Sequence, residues 1–279
     1  MTSAAPVSTG QTEGPSAANP GARAVSSRSH PARMLVVQVA LAYVVLSVVC
    51  VGVGLLLTHT AALAGVRHWD VSVNRWFVRR RTGTLDSLTA VGSHLAETLT
   101  VVGVGLLVVG LLWWRRRDLR TLSILVVGLV LEVSVFVTTT LFVDRSRPPV
   151  HHLDAAPPTS SFPSGHAAAA VALYVGLVVV VHRVWRRRGI TIAATVLAVC
   201  IVVAVGLSRL YRGMHHPSDV VVGAALGAAA LTIATGAAPG CMPEPNCSTQ
   251  GEMKSQTAST RMAQSSRRLL RRSLTRPLS

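Results

Sequence analysis

The sequence predicts an all-α integral membrane protein, a bundle of six transmembrane helices. Three observations carry this expectation. Half of the 279 residues are hydrophobic and only 14% are charged, against about a quarter charged in a soluble domain. Six apolar runs come close to the ~20 residues that a helix needs to cross a bilayer core. The net charge is +16, from 27 Lys+Arg against 11 Asp+Glu, and the basic residues gather between the runs and at the chain ends. A soluble nucleic-acid binder would share the basic excess but not the apolar bulk, so no nucleic-acid partner is expected. The same composition excludes a disordered chain and a disulfide-rich secreted domain.

Residues 1–33 are rich in Ala, Ser, Gly and Pro and lack hydrophobic periodicity. They are expected to be a disordered basic N-terminal tail. The first apolar run is Met34–Leu57. Ala62-Leu63-Ala64 resembles a signal-peptide cleavage site, but the run is too long for an h-region and is taken as a spanning helix. The remaining runs are Leu95–Trp114, Leu119–Val143, His166–Trp185, Ile190–Leu207 and Pro217–Ala238. The bundle therefore occupies 34–238, followed by a disordered basic tail over 239–279. Cys50 and Cys200 lie within apolar runs and read as small hydrophobes. Cys241 and Cys247 flank a Pro-containing stretch without the histidines or spacing of a metal site.

Six spans put both termini on one side, and arginine placement selects the side. Arg115–Arg117 and Arg120 follow the second run, and Arg183 and Arg186–Arg188 follow the fourth. Both clusters share a face with the two basic tails. That face is expected to be cytoplasmic, with the protein in the cell membrane. Arg79-Arg80-Arg81 opposes the trend from the outer loop 58–94, where Trp69, Trp76 and Phe77 suggest an interfacial helix. The basic C-terminal tail is expected to be attracted to anionic membrane lipid. Nothing in the sequence fixes an oligomeric state.

Two outer connections concentrate chemistry. The first starts Asp144-Arg145-Ser146-Arg147-Pro148 and ends Pro163-Ser164-Gly165-His166; the second runs from Ser208-Arg209 to His215-His216-Pro217-Ser218-Asp219. Arginine is a permanent, planar donor matched to phosphate, so Arg147 and Arg209 are candidate clamps on a phosphoryl group. Ser164 and Gly165 open the fourth helix, whose free N–H groups and dipole favour an anion. His166, beside that anion site, is placed to donate a proton. His215 is a candidate nucleophile through a covalent phosphoryl-imidazole, and Asp219 is a candidate to hold its ring by one nitrogen. Pro217 is expected to begin the sixth helix, since proline disfavours a helical residue before it. His151, His152 and His216 read as solvated loop residues, and Ser208 as either a helix-end polar residue or a supporting one. Glu132, midway along the third run, is costly at membrane depth; it is either a structural residue facing the interior or a support for the basic cluster. Gly223-x3-Gly227 matches a small-residue packing motif, read as packing within the bundle.

These motifs resemble the type 2 phosphatidic acid phosphatase superfamily, which includes bacterial undecaprenyl-diphosphate phosphatases. Pro163-Ser164-Gly165-His166 reproduces the second family motif, and Ser208-Arg209 with His215 and Asp219 reproduces the third at family spacing. The first motif, Lys-x6-Arg-Pro, is partial: Arg147-Pro148 stands, but Thr140 holds the lysine position. Arg145, on the same segment, is a candidate substitute. The resemblance covers about 34–238 and implies a six-helix core, a lipid phosphate or diphosphate monoester as substrate, and hydrolysis at the extracytoplasmic face. It implies attack by His215, protonation of the leaving oxygen by His166, and no metal or other cofactor. A lipid phosphoryl transferase using the same intermediate, and a catalytically silent lipid-phosphate binder permitted by Thr140, are the alternatives.

Overall fold

The computed structural model of the protein describes residues 30–115 and 119–237. Residues 1–29 of the expected N-terminal tail and the whole C-terminal tail, with Cys241 and Cys247, lie outside the described residues; His30–Arg33, expected to belong to the tail, are instead helical and begin the first helix. The chain forms α1 (His30–His59), a 3-10 turn at Ala61–Leu63, α2 (Ala64–Val78), α3 (Gly83–His94) and α4 (Thr98–Arg115). There follow α5 (Leu119–Phe142), α6 (Gly165–Trp185, with a π turn at Val171–Val175), α7 (Arg188–Tyr211) and α8 (Pro217–Ala237). No strand occurs among the described residues. Six helices, α1 and α4 to α8, are long and apolar enough to cross a membrane. The protein is a multi-pass membrane protein, and the six apolar runs of the sequence are its six long helices.

Helices α5, α6 and α8 pack together at the centre, with α1 against α5 and α8, α4 against α5 and α6, and α3 along α7. Leu131, Val135, Ala168, Leu226 and Ala230 fill the core and are almost wholly buried. Leu99, Leu107 and Leu141 point outward and are exposed. In water such a surface would be an aggregation liability; in a bilayer it is the solvated face. Of the two apolar-run cysteines, Cys50 is buried and Cys200 is exposed.

The seam between α6 and α8 depends on two glycines. A Cβ at Gly223 would overlap the Ser164 carbonyl oxygen, and one at Gly227 would overlap that of Ala168. The Gly223-x3-Gly227 motif thus serves packing inside the bundle, as expected, and brings the backbone of α8 onto the first turns of α6.

Two boundaries matter for the site. Helix α7 continues past the expected Leu207 to Tyr211, so Ser208 and Arg209 are helical residues on its last turn rather than loop residues. The connection 58–94 folds into two short helices, α2 and α3, after a 3-10 turn. On α2, Trp69 and Trp76 are exposed while Asp70 and Asn74 have no exposed surface. Arg81 is not a surplus topology charge: its Nη2 donates to the Tyr211 carbonyl at 2.8 Å, tying α2 to the end of α7.

The α6–α8 seam gives a test with a clear sign. In an exposed helix interior, Gly→Ala gains up to about 1 kcal/mol. Gly223→Ala should instead destabilise by about 1–3 kcal/mol, the cost of overpacking. Gly52→Ala, where a Cβ meets nothing within 4 Å, should be neutral or stabilising. Thermal unfolding in detergent compares the two; equal behaviour would contradict the seam.

Candidate active site

The connection 143–164 and the turn 212–216 meet at one end of the bundle. The Ser161 amide donates to the Arg145 carbonyl at 2.8 Å, and the Leu153 amide to the Arg212 carbonyl at 3.1 Å. Gly213, at φ +74°, takes the left-handed conformation that reverses the chain there. Pro217 occupies the first helical position of α8, where a missing N–H costs nothing. Asp219 reaches back as an N3 residue and accepts from the His216 amide at 2.8 Å, which is one half of a capping box.

Beneath this junction lies a cavity of about 480 Å³. Arg147, Gly165, His166, Arg209 and His215 line its polar end; its flank is apolar and belongs to α4 and α5, with Val102, Leu106, Val130 and Val133 among the lining side chains. Five of the seven site residues expected from the sequence therefore share one cavity wall. Ser164 and Asp219 stand behind it. Ser164 Oγ caps α6 by accepting from the Ala167 amide at 3.5 Å, and its own amide donates to the Asp219 carbonyl at 3.0 Å.

The expected Asp219–His215 hydrogen bond is not formed. The closest approach, Asp219 Oδ2 to His215 Nδ1, is 4.0 Å. His215 Nδ1 lies instead 2.7 Å from the Ser161 carbonyl oxygen. A carbonyl only accepts, so Nδ1 carries the proton and Nε2 carries the lone pair. Burial, and then the charges of Arg209 and Arg147, hold the His215 imidazole well below its ordinary pKa, so the ring is neutral at pH 7. The turn is fixed from outside as well, by Asn74 Nδ2 donating to the His215 carbonyl at 3.0 Å.

The two arginines at the cavity are tethered but not saturated. Arg147 Nη1 donates to the Met214 carbonyl at 2.8 Å. Arg209 Nη1 donates to Ser93 Oγ at 2.6 Å and to Asp154 Oδ2 at 3.1 Å. The Nε atoms of both are buried without a hydrogen-bond partner. Burial lowers the Arg147 pKa, and Asp219 only partly opposes it. Two cations with spare donors around one cavity are a site an anion would satisfy. The carboxyl of Asp154 is pushed up by burial, but a hydrogen bond from Arg212 and the charges of Arg209 and Arg212 prevail and hold it below the ordinary range. His166, half-buried at the start of α6, has no hydrogen-bond partner among the described residues.

Arg145 does not replace the missing lysine. Its Nη2 donates to Asp70 Oδ2 at 2.7 Å, and its Nη1 donates to Ser218 Oγ at 2.8 Å and also meets Asp219 Oδ1. Its guanidinium is thus committed to two buried carboxylates, away from the cavity lining. Thr140 returns its hydroxyl to the Val137 carbonyl at 2.8 Å and is not part of the site either. His216 is buried rather than solvated, with Nδ1 3.1 Å from Asp219 Oδ2. His152 binds the Pro148 carbonyl at 3.0 Å and His151 is exposed. Ser208 Oγ bonds to the Ala204 carbonyl at 2.7 Å and packs where a Cβ on Gly92 would fall. No group of three His, Cys, Asp or Glu positioned for a metal ion occurs among the described residues.

Sequence reasoning missed Asp70, Asn74, Ser93, Asp154 and Ser161. One signal was present for the first two: they sit four apart on α2, opposite Trp69 and Trp76, which marks a polar inward face.

Two measurements follow from this geometry. Arg145→Ala would leave Asp70 and Asp219 buried without their shared cation, a loss of about 3–5 kcal/mol. Arg145→Lys should recover only part of it, because one ammonium lacks the fork that reaches both carboxylates. Denaturation in detergent reads both variants, and wild-type stability in Arg145→Ala would remove the bridge. The second concerns pH. An unfolded imidazole takes a proton near pH 6.5, whereas folded His215 resists to lower pH. The unfolded state then binds more protons, so stability falls as pH drops from about 7 through 6.5 towards the depressed folded value. His215→Gln should flatten that fall; an unchanged slope would contradict a buried neutral ring.

Residues 121–241 match the PAP2 superfamily. No curated protein sequence matches the chain. Among solved structures, the fold is similar to a transmembrane PAP2-type phosphatidylglycerolphosphate phosphatase from Bacillus subtilis, at 22% identity and a TM-score of 0.56, covering 72% of this chain and 94% of that one. Aquifex aeolicus LpxE gives 21% identity and a TM-score of 0.49 over 60% of this chain and 94% of that one. The segment that matches the PAP2 superfamily holds all seven expected site residues.

Proposed function

We propose that this protein is a membrane phosphatase that hydrolyses a lipid phosphate or diphosphate monoester through a phospho-histidine intermediate. The observation that carries the reading is the cavity itself: two arginines with spare donors and a neutral histidine at one end, and an apolar flank on α4 and α5. A phosphate head group fits the first part and a lipid chain the second. The match of residues 121–241 to the PAP2 superfamily supports it.

In the proposed reaction, Arg147, Arg209 and the amides opening α6 hold the phosphoryl oxygens. His215 Nε2 attacks phosphorus while Nδ1–H stays on the Ser161 carbonyl, so the charge that develops on the ring is stabilised at a fixed orientation. The P–O bond to the lipid breaks as His166 gives its proton to the leaving oxygen. Water then attacks the phosphoryl-imidazole and passes a proton to His166. The P–N bond breaks, and inorganic phosphate leaves. Asp219 acts at one remove: it fixes the backbone of His216 and pairs with Arg145. Its carboxylate, 4.0 Å from His215 Nδ1, favours the imidazolium-like charge of the intermediate without a direct bond.

The positive-inside pattern supports an arrangement with both termini in the cytoplasm and the site at the extracytoplasmic end. Arg115, Arg120, Arg183 and Arg186–Arg188 lie at helix ends away from the 143–164 and 212–216 connections.

Purified protein in detergent should release inorganic phosphate from a lipid phosphate with a chelator present. His215→Ala should abolish release, and His166→Ala should lower kcat by about 10²–10⁴-fold. Rapid quenching with labelled substrate should trap label on His215 in the wild type. Wild-type turnover by His215→Ala would overturn the mechanism, and transfer of label to an added alcohol in place of water would favour the transferase alternative.

A further inference from the structure

Among the described residues, Glu132 is the one that lines the cavity with a carboxyl group. It is 4% exposed, and no hydrogen bond or ion pair engages it among the described residues. It lies one turn below Phe136 on α5, about 6 Å further from the site end. The Phe136 ring packs over Gly165 at the start of α6, so Phe136 marks the level of the anion site. Around Glu132 the cavity wall is apolar, formed by Leu129, Val130, Val133 and, across from them, Val101 and Gly105 of α4.

A buried polar group without a partner is costly, and more so at membrane depth. A structural role would show a partner within the bundle, and none occurs among the described residues. The group facing the cavity can be satisfied only by what fills it. The two chemical classes of lipid phosphate differ at this level. A polyprenyl phosphate presents bare hydrocarbon immediately beyond its phosphate. A glycerolipid phosphate presents ester carbonyls or a hydroxyl a few bonds from phosphorus. A carboxylic acid can donate to an ester carbonyl, and a carboxylate can accept from a hydroxyl.

Resting on the phosphatase reading above, we propose that Glu132 selects the substrate by hydrogen-bonding the glycerol-ester region of a glycerolipid phosphate, one helical turn deeper than the phosphoryl group. A hydrocarbon chain at the same place leaves the carboxyl group unpaired and is disfavoured. The selection is asymmetric because a site built to bond an oxygen rejects a ligand lacking it far more strongly than an apolar wall rejects an added oxygen.

The test compares phosphatidic acid with a polyprenyl phosphate, both in detergent, for wild type, Glu132→Gln and Glu132→Leu. The wild type should prefer phosphatidic acid. Glu132→Leu should raise KM for phosphatidic acid about tenfold, one good hydrogen bond, with kcat little changed, and should leave or improve KM for the polyprenyl phosphate. Glu132→Gln, which keeps donor and acceptor, should lie near the wild type. Glu132→Leu should melt no lower than wild type, since it removes an unpaired buried group. Thermal stabilisation by the same two lipids reads selection independently of turnover. If the wild type hydrolyses neither lipid, the phosphatase reading fails, while the stabilisation assay still decides the role of Glu132. A wild-type preference for the polyprenyl phosphate overturns the selection by Glu132. An equal loss on both lipids in Glu132→Leu, or no change on either, does the same.

Discussion

The bridge from Arg145 to Asp70 and Asp219 joins three pieces of chain that meet nowhere else in sequence: α2, the connection leaving α5, and the first turn of α8. All three side chains are at most 5% exposed. Two carboxylates and one guanidinium in such a place hold together only as a set, since the loss of any member strands the remaining charge. Ser218 completes the set: its amide and hydroxyl donate to Asp70 at 3.0 and 2.6 Å. The turn carrying His215 runs directly into this bridge at Asp219, so the position of the catalytic candidate is inherited in part from three charges that do not line the cavity.

This separates two jobs that a motif reading merges. Asp219 belongs to the same short motif as His215, yet its bonds go to His216 and Arg145. The ring of His215 is oriented by a main-chain carbonyl. A carbonyl cannot itself lose or gain a proton at physiological pH, so the tautomer it sets is independent of pH, where a carboxylate partner would bring a second titration. The arginine pair is handled in the same economical way. Met214, Ser93 and Asp154 occupy part of each fork, which aims the remaining donors before any anion arrives.

The six spans were legible because each is a long apolar run bounded by arginine or proline, a signal that needs no periodicity and no partner. The cavity residues were legible because Pro163–His166 and Ser208–Asp219 are compact in sequence and lie at the ends of spans. The support was not. Asp70 meets Arg145 across 75 positions and Asn74 meets His215 across 141, and no local pattern encodes such distances. Ser161 acts through its backbone, which any residue has. Two expectations went astray for the same physical reason: Arg145 and Asp219 have the right charge and place for the cavity, but buried opposite charges nearby claimed both.

The glycine seam holds α8 against α6, whose Gly165, His166 and Ala169 line the cavity, while the apolar flank of the cavity belongs to α4 and α5. A ligand cannot then arrive with equal ease from every direction. If its path runs along that flank, the reactant is delivered within the plane of the bilayer, and what governs occupancy is its mole fraction among the surrounding lipids rather than its amount per volume of solution. Dilution by inert lipid becomes the competing process, and the composition of the membrane takes the place that concentration holds for a water-borne enzyme.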